Sequence, residues 1–130
     1  MVTPETQSSD YESGMVLLES GLWRIRTGRI TPTKPGAFVA VWRRLDDGST
    51  VPFGADDPAV GLHVFVEEQD HFGVFQFAAE QLASLGISQT EQSPGKRGFR
   101  VYPSWSTGLN RQAARSQKAQ SPAFRDLTEH

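Results

Sequence analysis

Residues 23–45, WRIRTGRITPTKPGAFVAVWRRL, contain the pattern that decides the fold. On one side of a turn rich in proline and glycine at residues 31–36, Trp23 and Ile25 alternate with Arg24 and Arg26. On the other side Ala37, Val39 and Val41 alternate with Phe38, Ala40 and Trp42, and we interpret both arms as half-buried strands of period 2. The stretch therefore predicts a β-hairpin, and we expect Trp23 and Phe38 to lie in the core. The predicted hairpin also carries six cations and no acidic residue: Arg24, Arg26, Arg29, Lys34, Arg43 and Arg44.

The charged residues of the whole chain are segregated along the sequence. Of 13 Lys and Arg, the seven outside the hairpin all lie in residues 96–125, and all 15 Asp and Glu lie outside these two basic segments. Surface ion pairs add little to stability, so folding alone gives scant reason for this arrangement. The pattern favours a basic surface that binds an anionic partner. Pairing of the acidic middle with the basic flanks is the alternative.

The composition is typical of one soluble globular domain. The chain has 130 residues, 37% of them hydrophobic and 22% charged, and a chain of this length buries roughly two-thirds of its unfolded surface. The longest uncharged apolar run, residues 37–42, is too short to span a bilayer. The first ten residues lack the basic and apolar regions of a secretory signal, and the sequence has no cysteine. We expect a cytoplasmic protein with no membrane partner and no disulfide bonds.

Patterns in the rest of the chain predict an α+β fold with a mostly antiparallel mixed sheet, a short helix and a C-terminal helix. Residues 1–10 are polar and predict a flexible tail, whereas residues 11–127 predict a single domain. The predicted strands outside the hairpin are residues 11–19, 62–69, 72–77 and a segment from Phe99 that Pro103 interrupts. The predicted helices are residues 78–85, followed by Gly86, and the segment from the N-cap Asn110 to Gln120, followed by Ser121 and Pro122.

Three features are candidates for contacts with phosphates or bases. The loop GKRG at residues 95–98 can offer backbone N–H groups and two cations to a phosphate, although Arg97 stands where a P-loop has Ser or Thr. Tyr102 and Trp105 can stack on unpaired bases, and partial burial is the alternative for both. The last predicted helix places three cations on one face, for which a solvated surface is the alternative: Arg111, Arg115 and Lys118.

No arrangement of residues in the sequence identifies a catalytic or metal site. His63 and His71 lack a second histidine or cysteine at ligand spacing, and there is no Gly-x-Ser-x-Gly or HExxH motif. Pairs of acids at 46–47, 56–57 and 67–68 suggest a metal-dependent nuclease, but such a site needs carboxylates that converge on ions roughly 3.5–4 Å apart. Neighbouring acids on a strand point to opposite faces, and the other pairs lie in predicted loops. We expect no catalytic residue, no bound metal and no cofactor.

Several short motifs together resemble the MepB family of small bacterial proteins. RTGRITPTK at 26–34 runs into GAFVAVWR at 36–43, and GVFQF at 73–77 and RVYPSW at 100–105 follow. The resemblance covers about residues 9–124 and also includes residues 52–53, 85–87, 95–97, 112–113 and 117–118. It implies a restriction-endonuclease-like core, related to the PD-(D/E)XK endonucleases but lacking its N-terminal helix. It also implies binding of nucleic acid, with a preference for RNA or single-stranded DNA.

The endonuclease motif itself is absent from the sequence. That motif places an acid two residues before a lysine, so that metal and lysine converge on one phosphate, but Pro32, Pro94 and Ser116 stand two residues before the three lysines. We therefore expect a non-catalytic nucleic-acid-binding domain with little sequence preference. A metal-dependent nuclease with a rearranged site and a protein-binding adaptor are the alternatives. The expected binding residues are Arg26, Arg29, Lys34, Lys96, Arg97, Arg100, Tyr102, Trp105, Arg111 and Arg115.

Overall fold

The computed structural model describes residues 2–4, 14–54 and 57–128. These residues contain eleven strands, two α-helices and a short 3-10 helix. The strands are β1 (Val2–Pro4), β2 (Gly14–Leu18), β3 (Gly21–Thr27), β4 (Arg29–Ile30), β5 (Ala37–Ala40), β6 (Trp42–Arg44), β7 (Thr50–Pro52), β8 (Gly61–Glu68), β9 (His71–Ala78), β10 (Gly98–Val101) and β11 (Phe124–Asp126). The helices are α1 (Ala79–Ser84), α2 (Arg111–Gln120) and the 3-10 helix Ser121–Ala123.

A six-stranded sheet in the order β1-β2-β3-β8-β9-β11 forms the larger layer of the described structure. β3 and β8 run parallel, and the other neighbouring strands are antiparallel. The predicted pair of strands at 62–69 and 72–77 is present as the β8–β9 hairpin, in which Val64 lies opposite Phe75. The parallel pair was not predicted, because alternation along one strand carries no information about the direction of its neighbour.

The smaller layer is a three-stranded sheet in the order β10-β5-β4, and β6 and β7 form a separate hairpin. The prediction that residues 23–45 form one hairpin is therefore wrong: β3 pairs with β2 and β8, and only β4 pairs with β5. The chain changes sheets at Gly28, where an added Cβ would lie 2.9 Å from the Cβ of Ala37. A side chain at this position would force the two layers apart.

The core joins β8 and β9 of the larger sheet to β5 and β10 of the smaller one. The alternation predicted for residues 37–42 is confirmed, since Ala37, Val39 and Val41 are fully buried. Trp23 is also buried, but Phe38 is 40% exposed. The prediction of Phe38 as a core residue is wrong because successive residues of a strand face opposite sides, and the inward side of β5 is taken by its neighbours.

Both predicted helices are present. α1 buries Leu82 against the larger sheet and is followed by Gly86, as expected. The side chain of Asn110 accepts a hydrogen bond from the Ala113 N–H and caps α2, which ends before Pro122. The predicted α+β fold is thus confirmed. No helix in the described part of the chain has the length and apolar character needed to cross a membrane.

The N-terminal segment differs from its prediction. Residues 2–4 form β1, which pairs with β2 at the edge of the larger sheet, so this part of the predicted 1–10 tail is in a strand. Gly14–Leu18 confirms the latter part of the strand predicted at 11–19. Residue 1 and residues 5–13 lie outside the described residues.

Candidate nucleic-acid interface

A cleft of about 520 Å³ lies between α2, β10 and the end of α1. We term it the basic cleft, because its lining, among the residues that the structure describes, includes three cations and no Asp or Glu. Four of the ten predicted binding residues meet here: Lys96, Arg100, Tyr102 and Arg115. The other lining residues are Ser84, Leu85, Ile87, Phe99, Asn110, Gln112, Ala113, Ser116, Ala119 and Gln120.

Two glutamines of α2 hold this helix against β10 and the loop that follows it, and Gln120 also lines the basic cleft. Gln120 is 5% exposed; its Oε1 accepts the Tyr102 N–H at 2.9 Å and its Nε2 donates to the Arg100 carbonyl at 2.8 Å. Gln117 Nε2 donates to the carbonyls of Pro103 and Ser106. The amide of Gln120 therefore satisfies backbone groups at the open edge of β10. Neither glutamine was predicted as part of the site, although their spacing of three places them on neighbouring positions of one helix face.

Arg100 connects the basic cleft to the turn at residues 31–36. Its Nη1 donates to the Pro35 carbonyl at 3.2 Å and its Nη2 donates to Thr31 Oγ1 at 2.6 Å. The turn is packed closely at this point, because an added Cβ on Gly36 would lie 2.5 Å from the Val101 carbonyl oxygen. The two basic segments of the sequence are thus joined through Arg100 and the turn.

Further cations lie beside the basic cleft. Lys34 is exposed in the turn at residues 31–36. Lys118 lines a second cavity of about 200 Å³ together with Tyr102, which lies between this cavity and the cleft. In the described ranges, no carboxylate oxygen lies within 4.0 Å of the side-chain nitrogens of Lys34, Lys96, Arg100, Arg115 or Lys118. Their charges are therefore not neutralised by ion pairs with described acids.

An exposed aromatic residue continues this surface across the smaller sheet. Arg29 and Arg100 both lie opposite Phe38, one on each neighbouring strand. Side chains directly opposite each other on paired strands share one face of a sheet, so these three residues form a row on its outer face. The ring of Phe38 covers Gly98, where an added Cβ would lie 2.3 Å from its Cζ. This exposed position of Phe38 was not predicted, because its apolar side chain suggested a place in the core.

Arg26 is not part of any described surface. It is 1% exposed; its Nε donates to the Ala40 carbonyl at 3.1 Å and its Nη1 donates to the Ile25 carbonyl at 2.9 Å. Its guanidinium lies 5.3 Å from the centre of the Phe53 ring. The expectation that Arg26 contacts phosphates is corrected, because its donors are directed into the protein.

Trp105 has little freedom to stack on a base. Its indole stacks on the imidazole of His71 with ring centres 4.7 Å apart, and its edge meets Phe124 at 5.5 Å. Its Nε1 donates to Glu68 Oε1 at 3.1 Å. The predicted role of Trp105 as an open stacking surface is therefore corrected to a half-buried position in a packed cluster.

The two remaining predicted cations are exposed but lie outside the basic cleft. Arg97 donates from Nε and Nη2 to the carbonyl of Thr50, so it is bound to β7 rather than directed at the cleft. Lys96 in the same loop uses its backbone N–H to bond the Ile87 carbonyl, which removes one donor from the predicted phosphate loop. Arg111 does not line the basic cleft or the neighbouring cavity with Lys118.

His63 and Asp57, candidates for a metal or nuclease site in the sequence, are both held by other side chains in the structure. Partial burial of His63 on β8 lowers its pKa below the ordinary value, and its ring stacks on Trp23 with ring centres 4.7 Å apart. Asp57 accepts hydrogen bonds from Nε and Nη2 of Arg24 at 2.7 and 2.8 Å. Asp56 lies outside the described residues. Within the described ranges, no three His, Cys, Asp or Glu residues are placed to hold a metal ion together.

The fold and the cleft define a mixed α+β protein with a cationic cleft at the edge of its smaller sheet. The family model described as MepB-like matches residues 5–126, and the chain belongs to this family. A crystal structure of MepB has 32% sequence identity and a TM-score of 0.94 to this chain, and the alignment covers 100% of this chain and 87% of that one. No curated protein matches the sequence. The resemblance found in the sequence motifs is thus confirmed.

Proposed function

We propose that this MepB-like protein binds single-stranded RNA or DNA in the basic cleft and does not cleave it. The observation that carries the proposal is the charge of the cleft, whose lining within residues 2–4, 14–54 and 57–128 has three cations and no acidic residue. Lys34 and Lys118 extend the positive surface on either side. Such a surface attracts a nucleic acid through the negative charge of its phosphates. A cytoplasmic location, where single-stranded RNA is abundant, is part of the proposal.

The aromatic residues at the cleft favour single strands over a duplex. Tyr102 lies between the basic cleft and the neighbouring cavity, and Phe38 is 40% exposed between Arg29 and Arg100. Each base of an unpaired strand offers a face that stacks on an aromatic ring, worth about 1–3 kcal/mol. In a duplex these faces are covered by neighbouring bases, so the same rings gain nothing.

The chemistry of the lining supports binding without cleavage. Metal-dependent hydrolysis of a phosphodiester needs carboxylates that hold the ion next to the scissile phosphate, whereas the described residues that line the basic cleft include no carboxylate. Asp57, an acid relevant to the nuclease alternative, is held by two nitrogens of Arg24. The nuclease alternative therefore gains no support from the geometry of the cleft.

The test is the affinity for a fluorescent oligouridylate as a function of salt concentration. Contacts with about three to five phosphates predict a slope of log K against log salt of roughly −2 to −3.5 for a single strand. We expect fluorescence anisotropy to show this slope with intact RNA recovered afterwards, with or without magnesium. An affinity that does not change with salt, or shortened RNA in the presence of magnesium, would contradict the proposal.

Two arginines of one helix provide a matched pair of variants. Arg115→Glu reverses a charge inside the basic cleft, whereas Arg111→Glu makes the same change one turn earlier on α2 and outside the cleft lining. Only Arg115 lines the cleft, so we expect at least tenfold weaker binding for Arg115→Glu, which reverses a direct contact. Arg111 is one helical turn away and still within the roughly 8 Å over which charges act at about 0.15 M salt, so we expect Arg111→Glu to weaken binding too, but less. Equal effects of the two variants would place the nucleic acid elsewhere.

A further inference from the structure

A third cavity, with a polar lining, lies on the other side of the turn at residues 31–36, which borders the basic cleft. Its volume is about 230 Å³, below the roughly 300–1,000 Å³ typical of clefts that bind drug-sized ligands. Its size therefore suits a single planar ring system. We term it the polar pocket, and it is lined by Pro35, Gly36, Glu68, Gln69, His71, Trp105, Ser106 and Thr107.

The side chains of the polar pocket combine an acceptor held in place with hydroxyl donors and aromatic rings. Glu68 is fixed at the end of β8 by the 3.1 Å hydrogen bond from Trp105 Nε1 to its Oε1. The other carboxylate oxygen makes no hydrogen bond within the described part of the chain. The stacked rings of Trp105 and His71 form part of the wall. Ser106 lies in the wall, but its Oγ is buried and has no hydrogen-bond partner in the described residues, whereas Thr107 is exposed.

The position of the polar pocket relates it to the path of a strand through the basic cleft. The carbonyl of Pro35, which lines the polar pocket, accepts from Arg100, which lines the cleft. Gly36 likewise lies in the wall of the polar pocket and in contact distance of Tyr102. One turn therefore separates the two cavities, and Lys34 is exposed in that same turn. A nucleotide that crosses the turn can place its phosphate at Lys34 and its base in the polar pocket.

We propose that the polar pocket binds an unpaired guanine base. The edge of guanine carries two adjacent N–H donors, at N1 and the 2-amino group, beside the O6 acceptor. A carboxylate accepts both donors side by side, which matches Glu68, and the exposed hydroxyl of Thr107 is the donor for O6. Adenine, cytosine and uracil each present a different order of donors and acceptors, with at most one donor site for the carboxylate. The protein then prefers strands with a guanine at one position, which deepens the proposed function.

The first test uses free mononucleotides, so that it does not depend on the basic cleft. Isothermal titration of the full chain compares GMP with AMP, CMP and UMP, and with IMP, which differs from GMP only in lacking the 2-amino group. We expect GMP to bind at least tenfold more tightly than each of the others, in line with the discrimination that a good bidentate pair gives. Equal affinity for GMP and IMP would overturn the proposal without any substitution in the protein.

Neighbouring glutamates supply a matched pair of variants. Glu68→Gln keeps an oxygen to accept from Trp105 but removes the carboxylate, and we expect it to lose the preference for GMP. Glu67→Gln makes the same change on the opposite, exposed face of β8 and is expected to keep the preference within twofold. A preference for GMP that persists in Glu68→Gln would contradict the assignment.

Oligonucleotides separate a failure of this inference from a failure of the proposed function. We expect an oligouridylate with one central guanosine to bind more tightly than the all-uridine strand, and Arg115→Glu to weaken both. If both strands bind equally, the guanine pocket is refuted while binding in the basic cleft stands. If neither strand binds but GMP does, the cleft proposal fails and the pocket stands.

Discussion

Arg26 is the residue at which the two sheets of this protein are tied together. It extends from β3 of the larger sheet and donates to the Ala40 carbonyl in β5 of the smaller one. Trp23 and Arg26 are both buried although they are three residues apart and thus on opposite faces of the strand. β3 is therefore covered on both faces. Alternation of residue types shows which side chains share a face, but it does not show that both faces are covered, so a buried arginine could not be predicted from the pattern.

Replacement of Arg26 by methionine should destabilise the fold. The variant keeps most of the aliphatic volume but loses charged hydrogen bonds to the carbonyls of Ala40 and Ile25. Buried groups left without partners cost about 2–4 kcal/mol in the free energy of unfolding, measured by urea denaturation. Lys34→Met, at an exposed position, is the control and should change the free energy of unfolding by less than about 0.5 kcal/mol. Similar values for the two variants would contradict the role given to Arg26.

His63 should make the stability fall in mildly acidic solution. Burial lowers the pKa of His63 in the folded state, so below its unfolded pKa of about 6.5 the unfolded chain binds more protons than the folded one. The contribution of neutral His63 to the free energy of unfolding is therefore fully present above the unfolded pKa and declines as the pH falls below it. Thermal unfolding at pH 7.5 and 5.5 measures the effect. His63→Phe, which retains a ring next to Trp23, should show a smaller difference between the two pH values, and an unchanged difference would rule out His63 as the cause.

At the scale of elements, α2 was predicted closely but its attachment was not. The N-cap Asn110 and the stop at Ser121 and Pro122 depend on local backbone chemistry, which a sequence displays directly. The bonds from Gln117 and Gln120 to β10 and the loop after it depend on contacts between elements, which a sequence does not display. For the same reason the pairing of β3 with β8 and the strand β11 escaped prediction. The cleft exists because this helix is held beside the edge of β10.

Gln120→Ala should loosen the wall of the basic cleft. The change leaves the Tyr102 N–H and the Arg100 carbonyl without their partner on α2, and each such loss in a buried setting costs about 1–3 kcal/mol. We expect a lower free energy of unfolding and, at a temperature where the variant stays folded, weaker binding of RNA. Gln112→Ala on the exposed side of α2 is the control for stability and should be close to the natural chain. Full stability of Gln120→Ala would show that other contacts hold the helix.

At the scale of the whole molecule, the separation of basic from acidic residues along the sequence corresponds to a cluster of cations in the structure. The two basic segments meet where Arg100 binds the turn at residues 31–36. The sequence could not show which cations of each segment line the cleft, because side chains that are neighbours in sequence can be directed to different parts of the surface. Lys96 lines the cleft while Arg97 binds Thr50, and Arg115 lines it while Arg111 does not. The pattern thus predicted a basic surface but not the subset of cations that form it.

The three lysines of the chain, Lys34, Lys96 and Lys118, allow the whole path to be tested in one experiment. Each belongs to a different part of the proposed surface: the turn, the basic cleft and the cavity beyond Tyr102. Because a bound phosphate shields an ammonium group from acylating reagents, we expect a single-stranded oligonucleotide to slow acetylation of all three, and of Lys96 most, as read by mass spectrometry. The protection should vanish at 1 M salt, where screening releases the strand. Protection of Lys34 and Lys118 with free labelling of Lys96 would mean that the strand bypasses the cleft, and the path would then have to follow the outer face of the smaller sheet past Phe38.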